Sequence, residues 1–160
     1  TWFRPALSRA QYYPSGFAVN FDGFGAALLS PSAQFAFFNS AANTVANADL
    51  TFGTTGALAG LSAVKVYNPN VLETTGVGRV LPIGSTDYTF AVAPAAGTFT
   101  GTFKSTFTTG VAGTQSAAYR GIVVNKGANQ GGFGYFLNNP TLSTTVIDGA
   151  SGQVTLTAQP

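Results

Sequence analysis

Residues 119–137 read YRGIVVNKGANQGGFGYFL, an apolar strand, a turn and a second apolar strand in succession. Ile122, Val123 and Val124 are β-branched and Phe133, Tyr135 and Phe136 are aromatic, the side chains that pack best on a pleated surface. The Gly, Asn and Gln residues between the two runs supply turn conformations. This stretch predicts a long-loop β-hairpin, and the rest of the chain repeats its grammar.

Upstream, Tyr88, Phe90 and Val92 alternate with strict period two and stop at Pro94, and Phe99, Phe103 and Phe107 stand four apart among Thr98, Thr100, Thr102, Thr106 and Thr108. In a strand that spacing places all three phenylalanines on one face, and the β-branched threonines favour strand over helix. The segment Thr108–Ala117 reads as a polar loop leading back to the hairpin. Downstream, Asn138-Asn139-Pro140 turns the chain, Thr144–Ile147 forms a short strand, Asp148-Gly149 turns again, and Val154–Thr157 forms the last strand.

The first half carries the same signals less regularly. Phe17, Val19 and Phe21 share one face of a strand, and residues 16–39, with Phe24, Leu28, Leu29, Phe35, Phe37 and Phe38, yield two or three strands broken at Asp22-Gly23 and Ser30-Pro31-Ser32. Ser40–Ala48 is a short helix or a loop. Leu50–Phe52 and Leu58–Tyr67 resume the strand pattern, the latter with a bulge or with burial on both faces. Val77, Val80, Leu81 and Ile83 lead to the run at Tyr88. Turn signals about every 8–12 residues predict an all-β, antiparallel β-sandwich or barrel-like fold of about 10–12 short strands.

Residues 1–14 hold the only Trp and two prolines, Pro5 and Pro14, and read as an extended arm. Residues 15–160 form a single β domain. Partial echoes between GALAG at 56–60 and GTFTG at 97–101, and between GFGAALL at 23–29 and GFGYFL at 132–137, leave room for two related halves, about 15–87 and 88–160. The arm either straps its own domain or adds a strand to a neighbouring copy, and its candidate assembly residues are Trp2, Phe3, Leu7, Tyr12 and Tyr13.

Composition narrows the function. Of the 160 residues 45% are hydrophobic and only 8% charged, against about 25% charged in an ordinary soluble domain. A surface so poor in charge resists self-association weakly, so a homo-oligomer or polymer is expected. The basic residues Arg4, Arg9, Lys65, Arg79, Lys104, Arg120 and Lys126 form no cluster that could track a phosphate backbone, which argues against a nucleic-acid partner. No apolar run approaches the ~20 residues of a transmembrane helix. A chain without Met reads as a processed secreted protein or a trimmed piece of a larger one, placed outside the cell or on its surface.

Catalytic chemistry is not legible. There is no Cys and no His, which removes thiolate sites, the commonest metal ligand and the commonest general base. The acids are Asp22, Asp49, Glu73, Asp87 and Asp148, two of them in Asp-Gly turns, with no pairing that suggests glycosidase carboxyls. Neither a nucleophile elbow nor a phosphate loop is present. No catalytic, cofactor-binding or metal-binding residue is assigned, and no enzyme activity is expected. Bound calcium and a self-formed Lys–Asn bond at Lys65, Lys104 or Lys126 remain open.

The segment 88–156 resembles a β-rich module found near the C-termini of large secreted bacterial proteins. The shared elements are GTFTGTF at 97–103, YRGIVVN at 119–125, GFGYFL at 132–137 and SGQVTL at 151–156. The resemblance covers less than half the chain and implies an extracellular β domain, with no activity attached. Two readings follow. The first is an extracellular structural protein that self-associates through β-strand contacts, as in a fibre, a pilus-like assembly or a surface layer. The alternative is a carbohydrate-binding or adhesive module with an aromatic platform drawn from Trp2, Tyr12, Tyr13, Tyr67 or Tyr135.

Overall fold

A computed structural model of the chain describes residues 2–4, 17–19, 27, 29–30, 34–38, 46–53, 61, 63–72, 79–81, 85–107, 113–126, 130–138 and 150–159. Among them are eleven strands: β1 (Trp2–Arg4), β2 (Phe17–Val19), β3 (Ala48–Phe52), β4 (Lys65–Tyr67), β5 (Asn70–Leu72), β6 (Arg79–Leu81), β7 (Tyr88–Ala93), β8 (Thr98–Phe107), β9 (Gly113–Val124), β10 (Gly131–Asn138) and β11 (Ala150–Ala158). The expected all-β, antiparallel, barrel-like architecture is what forms. Seven strands make one antiparallel sheet in the order β4-β3-β11-β10-β9-β8-β7, and β1-β2 and β5-β6 are separate two-stranded ladders.

The sheet is built outward from the β9–β10 hairpin, where Val124 lies opposite Gly131 and Tyr119 opposite Phe136. β7 and β8 join through Pro94–Ala96, a single 3₁₀ turn that ends at Gly97 in the left-handed conformation, φ 61°. Pro94 at the start of that turn fixes φ and needs no donor, and Gly at its end enters αL without a Cβ clash. The Gly97 carbonyl then accepts the amide of Val123 (2.8 Å), which ties the turn to β9.

Alternation sends one set of side chains inward along the strands of this sheet. Leu50 and Phe52 on β3, Tyr67 on β4, Tyr88 and Phe90 on β7, Phe99, Phe103 and Phe107 on β8, Tyr119 on β9, Phe136 on β10 and Val154 and Leu156 on β11 form one buried core. The sheet is curled enough for its two ends to meet through this core. Phe52 of β3 stacks on Phe103 of β8 with ring centroids 3.9 Å apart, and Tyr67 of β4 stacks on Tyr88 of β7 at 4.4 Å. Tyr67 also donates its hydroxyl to the Lys104 carbonyl of β8 (3.1 Å). The β5–β6 ladder follows β4 through Asn68-Pro69, and β6 comes close to β7 without hydrogen-bonding to it.

Asn47, just before β3, holds three segments together. Its side-chain amide donates to the carbonyls of Phe38 (3.3 Å) and Val71 (2.8 Å), and its Oδ1 accepts the Val71 amide (2.7 Å). A buried side chain that meets both backbone groups of Val71 mimics a ladder partner, and so fixes β5 where no described strand pairs with that side of it.

Several sequence expectations are corrected here. The polar segment Thr108–Ala117 is not a loop throughout, because β9 begins at Gly113 and pairs along β8 as far as Gly113 opposite Phe107. Its Thr, Gln and Ser residues mark an exposed face, not an absence of pairing. Gln34–Phe38 forms a helical turn instead of strand, with the Gln34 amide bonded to the Ser30 carbonyl and the Phe38 amide to Phe35. The two buried rings, Phe35 and Phe38, are three apart, a spacing that suits a helical turn as well as a strand edge. Of Leu58–Tyr67 the described residues, 61 and 63–67, give the three-residue β4 and an isolated bridge from Leu61 to Phe107, and Val64 and Val66 are exposed, so β4 is not buried on both faces. The readings of Phe21, Phe24 and Leu28, of Thr144–Ile147, of most of Ser40–Ala48, and of the echo at 56–60 fall outside the described residues.

Candidate functional site

With the core side chains turned inward, the other half of each strand forms an outer face. On β8 it carries Thr98, Thr100, Thr102, Lys104 and Thr106; on β9, Thr114, Ser116, Ala118, Arg120 and Ile122; on β10, Phe133, Tyr135 and Leu137. Threonine hydroxyls pair across the strands, Thr89 with Thr102 (3.0 Å) and Thr106 with Thr114 (3.3 Å). Among these polar side chains Ile122, Tyr135 and Leu137 stand 51%, 48% and 36% exposed.

The register sets the outer face in rows. Thr100 lies opposite Arg120, Arg120 opposite Tyr135, and Tyr135 opposite Gln153. Directly opposed side chains in an antiparallel pair have Cβ atoms about 4.5–5.5 Å apart, so an exposed phenol ring stands between a guanidinium and an amide. Arg120 makes no ion pair among the described residues.

β7 is one end of the sheet. The Lys104 amide donates to the Asp87 carbonyl (2.7 Å), which sets the parity of the ladder. Thr89, Ala91 and Ala93 therefore face β8 with their backbone groups, and Phe90 and Val92 turn theirs to the other side. Among the described residues no strand is hydrogen-bonded there.

One distortion interrupts that ladder. The Thr89 carbonyl accepts the hydroxyl of the buried Tyr119 (2.6 Å), and Thr89 Oγ1 accepts the Thr102 amide (2.9 Å) in the carbonyl's stead. Gly101 is opposite Tyr119 and makes this possible, since a Cβ there would overlap both the Thr89 carbonyl oxygen and the Tyr119 hydroxyl. Burial raises the Tyr119 phenol well above its ordinary pKa, and the neighbouring Tyr88 and Tyr67 add to the shift. Tyr67 is raised as well, by burial first and then by the Asp87 carboxylate. Both tyrosines remain neutral hydrogen-bond donors at ordinary pH.

No protein-family model matches the chain, and no curated protein or solved structure matches it either.

The candidates read from sequence are separated by the fold. Trp2 and Phe3 lie on β1, paired with Val19 and Ala18 of the same chain, so the start of the arm is bonded in cis. Leu7, Tyr12 and Tyr13 lie outside the described residues. Tyr67 is a core residue, not a platform, because its ring stacks on Tyr88 inside the sheet. Tyr135 is on the surface, and of the five aromatics considered it is the one whose exposed ring the structure describes.

Lys65, Lys104 and Lys126 are all exposed, whereas a Lys–Asn bond forms beside a buried acid. Asp49 accepts hydrogen bonds from Asn68 and Gln159 at 2.6 Å each. Among the described residues no cluster of acids could hold a metal ion, and no helix is long and apolar enough to cross a membrane. The row around Tyr135 and the open side of β7 escaped the sequence reading. Alternation alone places Arg120 and Ile122 opposite in sense to Tyr119 and Val123, but the neighbours across the sheet follow only from register.

Proposed function

We propose that this chain is an extracellular or cell-surface structural subunit that self-associates by β-strand pairing. The observation that carries the reading is the β7 edge. Tyr88–Ala93, YTFAVA, is six residues long and contains no charge and no proline, and the backbone groups that Phe90 and Val92 turn away from β8 are in a ladder neither with the nearby β6 nor with any other described strand. Proteins that remain single blunt such edges with lysine, proline, bulges or a covering element. At the other end of the sheet β4 is three residues long and begins with Lys65, a protected edge by the same criteria. The low charge of the whole chain supports the reading, since little repulsion opposes contact between copies.

The test is Val92→Pro. The Val92 amide points away from β8, so proline there removes a donor from the open edge and none from the β7–β8 ladder, a position edge strands tolerate. Light scattering with electron microscopy of the same sample should find ordered multimers of the wild type and their loss in the variant, with the far-ultraviolet spectrum unchanged. A wild-type chain that stays monomeric at every concentration overturns the proposal. Deletion of residues 1–13 then distinguishes the edge from the arm, because edge pairing survives it.

A further inference from the structure

The outer row centred on Tyr135 has a chemistry of its own, independent of the β7 edge. We infer that Thr100, Arg120, Tyr135 and Gln153 form a binding site for an acidic polysaccharide, with a uronic acid unit seated on the tyrosine ring. The ring is half exposed and fixed at its base by ladders on both sides, to β9 and to β11. An aromatic face held in this way offers the apolar C–H face of a pyranose a flat partner, and ordering it on binding costs little because the backbone is already fixed. Polar groups stand on either side of the ring. Arg120 presents a planar fork of donors matched to a carboxylate, and Gln153 offers a donor and an acceptor to ring hydroxyls.

Charge selects the anionic ligand over a neutral one. Every charged side chain on the outer face of β8, β9 and β10 is a cation, namely Lys104 and Arg120, and Arg120 has no ion-pair partner among the described residues. A second copy laid on the same face would bring these cations toward their own counterparts. A nucleic acid would need many more phosphate contacts than two cations supply. Lys104 lies four residues beyond Thr100 along β8, about 13 Å away at the rise of a strand. An extended chain with a carboxylate on every unit can span the distance from Arg120 to Lys104, so the site favours a polymer over a single sugar. Ile122, 51% exposed and two residues from Arg120, extends the apolar floor on the other side of the ring.

The experiment is affinity electrophoresis of the intact chain in gels containing polygalacturonate, with amylose gels as the neutral arm, repeated with Val92→Pro to remove any contribution from multimers. Expected is retardation by polygalacturonate and none by amylose. Tyr135→Ala should weaken the interaction by about tenfold, the factor carried by one lost contact of moderate strength, whereas Tyr135→Phe should retain most of it. Arg120→Gln should weaken binding and flatten its dependence on salt. Tyr135 and Arg120 are both on the surface, so an unchanged denaturation midpoint verifies folding. No retardation by polygalacturonate overturns the inference, and so does retardation that both Tyr135→Ala and Arg120→Gln leave unaltered. Equal retardation by amylose, insensitive to Arg120→Gln, overturns the anionic specificity.

Discussion

The inner and outer faces of β8 belong to one ten-residue strand and are opposites in chemistry. Inward, Phe99, Phe103 and Phe107 are at most 1% exposed, and Phe103 and Phe107 touch rings of strands that do not pair with β8, whereas Thr102 and Thr106 outward bond to the strands next door. The inner face is specified by shape across the whole sheet, and the outer face by its nearest neighbours alone. A change inside should therefore unsettle the entire barrel, and a change outside should be felt only by whatever meets the surface.

Substitution is the direct way to break that contrast. Phe103→Ala should have the largest effect, a loss of about 3–5 kcal/mol in denaturant unfolding, because its ring stacks on Phe52 and meets Phe136 edge-on at 5.2 Å. A loss below 1 kcal/mol would mean that the core collapses around the gap, and that shape does not specify the inner face.

Tyr119→Phe is smaller and sharpens the comparison, since it alters one polar atom inside the apolar face. It leaves the Thr89 carbonyl without the hydroxyl it accepts and should cost about 1–3 kcal/mol. It should also change the response to alkali. Burial holds the folded phenol above its ordinary 10.0, so above about pH 10 the unfolded chain releases a proton that the folded chain keeps. Stability is therefore complete below pH 10 and falls as pH rises beyond it. Thermal unfolding measured from pH 8 to 11 should show a shallower alkaline decline in the Phe variant, with Tyr67 supplying the remainder.

Ile122→Thr should have the smallest effect, within about 0.5 kcal/mol, because the side chain is mostly in water already. A destabilisation of 2 kcal/mol would show that the outer face is covered and would break the comparison.

The same contrast explains what was legible in the sequence. β7 and β8 follow from Tyr88, Phe90, Val92 and the phenylalanines at 99, 103 and 107, because period two is a local property that each strand carries by itself. The hairpin of β9 and β10 is legible for the same reason, aided by the glycines between. Partnerships across the sheet are not. Nothing in Leu50 or Phe52 says that β3 pairs with β11, and nothing in a three-residue β4 says which way Tyr67 points, so the sequence alone does not separate a platform from core. The start of β9 was hidden by its own outer face, whose Thr114 and Ser116 have the composition of a loop. Tyr135 was one of five aromatics that looked alike in sequence. Its setting between Arg120 and Gln153 depends on a register shared by three strands, and register is not written in any one of them.

The pairing of β3 with β11 also has a consequence for synthesis. About 100 residues separate Phe52 from Ala150, the start of the strand that joins β3 to the rest of the sheet. At about 5–20 residues per second on the ribosome, β3 waits roughly 5–20 s for β11 to be made. During that interval the β7–β8–β9–β10 ribbon assembles one neighbour at a time as each strand emerges, while Leu50 and Phe52 lack the β11 strand that joins β3 to it. Completion of the sheet is thus a late event set by translation, and the early strands depend in the meantime on whatever shields apolar nascent chain from its neighbours.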